Sequence, residues 1–178
     1  MCIRDRGMAL KRTSSTVSIG FSITESAPNT FTELQVDLNL SPLDNEVFVV
    51  QSINLDPFFP DALAATNTSV NCALTATSQS AAGTVGVLAD ANTLSRATTF
   101  IAAAGFVDGG VGFQQQAIET PPANLDYIGI IATSDFFVQV EGIGNTLAKG
   151  AAGKLYGYRA KADAATYAAL VQSEVLSA

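Results

Sequence analysis

Few residues in this chain have types and spacings that could do chemistry. Two carboxylate pairs, Asp44 with Glu46 and Asp126 with Asp135, are of the kind a glycosidase uses as acid and nucleophile. Each lies at a strand end or in a loop, where a solvated surface acid is the simpler reading. The run "PLDNE" (42–46) offers oxygen ligands suited to calcium but lacks EF-hand spacing. The chain contains no His, which removes Ser-His-Asp and Cys-His nucleophiles and the commonest zinc ligand. Cys72 therefore has no base partner, and in "SVNCALTAT" it reads as a small buried hydrophobe beside Val70 and Leu74. "GGVG" and "GIGN" do not complete a dinucleotide fingerprint, and "GAAGK" is followed by Leu155 where a P-loop needs Ser or Thr. "NLS" (39–41) and "NTS" (67–69) match the N-glycosylation tripeptide without a visible secretory route. No catalytic residue, cofactor or metal ligand is assigned, and the chain reads as a non-enzyme.

The elements that would position any such group are strands. "STVSIGFSIT" (15–24) puts Val17, Ile19, Phe21 and Ile23 on one face and small polar residues on the other. "ELQVDLNL" (33–40) repeats the pattern with Leu34, Val36, Leu38 and Leu40. In "NEVFVVQSINLD" (45–56), strict alternation assigns Val47, Val49, Gln51, Ile53 and Leu55 to one face, with Phe48, Val50, Ser52 and Asn54 on the other. Its first half is apolar on both faces, as in a strand covered on both sides. Phe58 and Phe59 in "DPFFPDALAAT" read as a plug over the end of the core. Further strands are expected at 69–78, 96–105 (where a helix competes), from Val111, at 127–133, 135–142 and 154–162. The last carries Tyr156 and Tyr158 on one face and Arg159 and Lys161 on the other.

The period changes after Asp163, a helix N-cap candidate. Tyr167, Leu170, Val171 and Glu174 recur at helical spacing. Their short stripe suits packing on the chain's own sheet or docking on a neighbour. About eight short strands then imply an all-β, two-sheet antiparallel sandwich with a short C-terminal helix. The division is residues 1–12 as a non-native scar plus flexible arm, 13–162 as the sandwich, and 163–178 as the helix. "MCIRDRG" is similar to a translated adapter remnant, which would make Met8 the natural start.

At 178 residues the chain can bury a core without disulfides or metals. Charged residues make up 14%, against roughly 25% in an average domain. That fits either a compact Ala-rich β domain or a surface covered by neighbours in an assembly. The net charge is −7, and no base occurs between Thr13 and Ser95, which argues against direct nucleic-acid binding. No apolar run reaches the roughly 18 residues of a membrane span.

The strand succession, the low charge, "YIGIIATSDFFVQVEGIGN" and "GKLYGYRAKADAATYAALVQSE" resemble single jelly-roll capsid proteins of tailless icosahedral viruses. That resemblance implies a jelly roll, a shell subunit in the virion assembled in the host cytoplasm, and partners that are copies of itself and other capsid proteins. It carries over no functional residue. The basic arm some such proteins place on their genome is reduced here to Lys11 and Arg12. Phe58, Phe59, Tyr167, Leu170 and Val171 are the candidate assembly contacts. A carbohydrate-binding sandwich module and a cellular surface-layer or filament subunit stand as alternatives. The absence of Trp counts against the first of these.

Overall fold

The computed structural model describes residues 10–107, 110–115, 117–119 and 125–176. The opening heptapeptide with its Cys2, Met8, Gly109 of the Gly-rich turn and Pro121–Asn124 of the Pro-rich loop lie outside the described residues. In chain order the strands are β1 (Leu10–Arg12), β2 (Val17–Thr24), β3 (Thr32–Asp37), β4 (Glu46–Pro57), β5 (Thr68–Thr75) and β6 (Thr93–Ala102). They continue with β7 (Val111–Gln115), β8 (Ala117–Glu119), β9 (Gly129–Ile131), β10 (Asp135–Ile143) and β11 (Gly150–Ala162), and helix α1 (Ala164–Leu176) follows.

These strands form two antiparallel sheets packed as a sandwich. In the first, β11 lies between β2 and β4, and β4 pairs on its far side with β9 and β8. The second runs β3-β10-β5-β6-β7. Successive strands cross between sheets from β2 through to β5 and again from β9 to β11. This gives jelly-roll connectivity, in which distant segments lie side by side. The side chains between the sheets form the main core, including Phe21, Phe48, Ile53, Leu74, Phe136 and Leu155. Phe21 and Phe136 meet edge to face with ring centroids 5.9 Å apart. Val70, Cys72 and Leu74 point into this core together, as their alternation requires.

Residues 10–12, assigned from sequence to a flexible arm, form β1, which continues the line of β2 along β11. The arm is held because Leu10 packs on a second apolar cluster and the Arg12 guanidinium lies 4.3 Å from the centre of the Tyr158 ring.

The two faces of β4 are not the two sets alternation assigns. Val47 and Val49 face outward, beneath α1, whereas Phe48 and Val50 enter the main core with Ile53 and Leu55. The cause is a β-bulge. Val50 pairs with Gly157 and Ser52 with Tyr156, leaving Gln51 as an extra residue that reverses the parity of everything after it. The Thr16 hydroxyl donates to Gln51 Oε1 at 2.9 Å, which holds the bulged side chain. Opposite it, Gly157 has no room for a side chain, since a Cβ would run into the Val49 carbonyl and the Phe48 ring.

Helix α1 packs on the chain's own first sheet. Tyr167, Leu170 and Val171 lie half-buried against Val47, Val49, Ala132 and Ala160. This is why the first half of β4 is apolar on both faces. Asp163 caps the helix by accepting the Thr166 amide at 2.7 Å.

Candidate functional site: the loop end of the sandwich

Jelly-roll connectivity gathers four connections at one end of the sandwich: β2–β3, β4–β5, β6–β7 and β10–β11. Loops so exposed would ordinarily be mobile. Here polar side chains tie them together, among them the buried Glu25 and Asn145. Glu25 accepts the amides of Gly142 at 2.5 Å, Thr30 at 3.1 Å and Lys149 at 2.7 Å. The Asn29 side chain donates to the Asn145 carbonyl at 2.7 Å and accepts the Asn145 amide at 2.8 Å. Asn145 also accepts the Asp61 amide at 2.9 Å and donates to the Ser69 carbonyl at 2.9 Å. Asn67 Oδ1 accepts the amides of Ala103 and Ala104, each at 3.0 Å.

Asp61 completes the network. It accepts the Thr146 amide and hydroxyl, both at 2.8 Å, and the Leu147 amide at 3.1 Å, and it pairs with the Lys149 ammonium. The lysine, then the Thr146 donors, hold its carboxyl far below the usual carboxylate range. Gly144 makes this approach possible. It sits at φ +72°, and a Cβ there would strike the Asn67 carbonyl.

A framework so tied presents apolar side chains to solvent. Phe59, Phe106, Val107 and Leu147 are 70%, 51%, 83% and 65% exposed. Phe58 is 43% exposed and lies over Gly150. Phe58 and Phe59 are therefore not a plug over the core. Pro57 and Pro60 on either side are the buried residues of that segment. A groove of about 430 Å³ runs between Leu63, Ile101, Ala103 and Val107. A second, of about 190 Å³, adjoins it at Ile101 and is lined by Phe59, Phe100 and Phe113. Among the described residues, no charged side chain lines either groove.

The carboxylates singled out from sequence are engaged elsewhere. Asp44 pairs with Lys161 at 3.1 Å, which lowers its pKa, and Glu46 accepts the Ser41 amide at 2.9 Å and lies 3.5 Å from Arg159. Asp135 accepts a hydrogen bond from Gln35 at 2.5 Å, while Asp126 is exposed in the segment before β9. Among the described residues no three His, Cys, Asp or Glu side chains converge as metal ligands would. No described helix is long and apolar enough to cross a membrane. Sequence reading singled out Phe58 and Phe59 at this end, but not Glu25, Asp61 or Asn145. Most of their partners are so far away along the chain that spacing carries no trace of them.

On the outer face of the first sheet, Asn54, Asp56, Lys154 and Tyr156 line a shallow depression of about 300 Å³. The Asn54 Oδ1 there is buried without a protein partner.

No family model matches the chain, and no curated protein matches it. Among solved structures it is similar to a chain of Desmodium yellow mottle tymovirus, at 12% identity over 83% of this chain and 87% of that one, with a TM-score of 0.26. It is also similar to the VP2 subviral particle of infectious bursal disease virus, at 11% identity over 89% of this chain and a TM-score of 0.29. This chain covers 33% of that VP2 chain.

Proposed function

We propose that this chain is a structural subunit of a virion shell, assembled in the host cytoplasm from copies of itself and other capsid proteins through its lateral edges and loops. Jelly rolls serve lectins as well as capsids, so the fold does not choose between them. The reading rests on one observation: a loop end tied together by polar hydrogen bonds that displays uncharged apolar side chains to solvent. A contiguous apolar surface on a water-exposed domain marks an interaction site. Rigidity lowers the entropic cost of docking there. Phe58 and Phe59 belong to that surface. Tyr167, Leu170 and Val171, half-buried on their own sheet, would meet a neighbour only along their exposed margins.

Purified full-length chain should sediment as large species and give particles by negative stain as salt and concentration rise. A monomer at high concentration under every salt condition would remove the reading. The second reading, carbohydrate binding, is favoured by the unpartnered Asn54 Oδ1 beside Tyr156 and Lys154. It requires glycan-array binding that Asn54→Ala abolishes.

A further inference from the structure

Strand β7 is the outermost strand of the second sheet among the described residues. Its sequence, VGFQQ, has neither charge nor proline. Exposed edges are normally protected by such residues, because unpaired backbone groups template another strand. The opposite edge of the same sheet, β3, follows that rule and carries Glu33 and Asp37. Among the described side chains of β7, the exposed ones are apolar instead. Val111 is 46% and Phe113 59% exposed, and at Gly112 an added Cβ would meet nothing within 4 Å. Phe113 stacks on Phe100 across the β6–β7 pair, with ring centroids 6.4 Å apart.

We propose that β7 is a homotypic docking edge, on which a second copy of this chain adds its own β7 antiparallel about a two-fold axis through Phe113. The pairing would set Phe113 against Phe113 of the second copy, and Val111 against Gln115. The occupant follows from charge. This chain carries a net charge of −7, so two copies repel wherever acidic surfaces face each other. An edge without charge lets two acidic chains meet with no like-charge pair across the contact. A two-fold contact must be self-complementary, and an antiparallel strand pair has that property in its backbone hydrogen bonds. The apolar groove between Phe59, Phe100 and Phe113 flanks the same edge and would be covered with it.

The proposal deepens the shell reading by naming one contact, and its test separates the two. A Phe113→Cys variant in a Cys2→Ser background, mildly oxidised, should give a disulfide-linked dimer. A Phe59→Cys control should cross-link far less, because Phe59 does not sit on the axis. Phe113→Glu, which places two carboxylates face to face, should raise the dimer dissociation constant about tenfold or more in sedimentation, with the circular dichroism unchanged. Dimers without particles would uphold the edge contact and sink the shell. Particles that form equally well with Phe113→Glu, and no cross-link in the Phe113→Cys variant, would overturn the edge contact while the shell reading stands.

Discussion

Asp61 and Lys149 form an ion pair between the β4–β5 and β10–β11 connections, with side chains only 16% and 14% exposed. The same carboxylate accepts three further hydrogen bonds, from Thr146 and Leu147. Asp61→Asn leaves Lys149 without its anion and should cost about 2 kcal/mol, below the roughly 3–5 kcal/mol typical of a fully buried pair because some solvent reaches it. Since the folded pKa of Asp61 lies below its ordinary 3.8, the unfolded chain binds the proton more tightly. The stabilisation is therefore fully present above the unfolded value and is lost as pH falls below about 4 toward the folded value. The stability gap between wild type and Asp61→Asn, from denaturant titrations between pH 7 and pH 2, should be constant down to about pH 4 and narrow below it.

Glu174 reaches from α1 to accept the Ala132 amide at 2.8 Å and the Thr133 amide at 3.0 Å. Both donors lie in the short segment between β9 and β10 and would otherwise need other acceptors. Glu174→Ala should cost about 2–3 kcal/mol, the scale of losing hydrogen bonds to a charged group. Hydrogen exchange should show these two amides accelerating before those of β4 and β11.

The bulge at Gln51 makes a sharper prediction. Deleting Gln51 removes the bulge and leaves Phe48, Val50, Ile53 and Leu55 in strict alternation on one face, so all four should stay in the main core. A cooperative thermal transition should survive, and its loss would contradict the assignment of Gln51 as the extra residue. Gln51→Ala keeps the residue count and should cost less than about 1.5 kcal/mol, mainly the hydrogen bond from Thr16. Gly157→Ala should be far worse than Gln51→Ala, because the Val49 carbonyl and Phe48 ring occupy the space of its Cβ.

Burial pushes the Cys72 thiol up to about 12. The thiolate is the reactive form, so the native protein should resist alkylation of Cys72 at pH 8. Peptide mass spectrometry should find Cys72 modified only once denaturant unfolds the chain. Rapid labelling of the folded protein would contradict its place between the sheets.

The sequence by itself was enough for most of the strands, because alternation is a local property of the chain. The clearest case is Val70, Cys72 and Leu74, which stand on one face in both sequence and structure. The two-sided apolarity of residues 47–50 was equally legible, and so was the helix that covers it, with Asp163 at its cap. What the sequence could not contain is the result of chain closure. Which way β4 turns its faces was decided by one extra residue opposite Gly157, a matter of register with a strand that comes much later in the chain. The locked loop end was decided in the same way. Asn145 meets the Asp61 amide across 84 positions of sequence, and Glu25 meets the Lys149 amide across 124. Local periodicity determines which side chains share a face. Only the folded topology determines which surfaces meet, and hence which carboxylate finds an amide or an ammonium and which phenylalanine is left facing water.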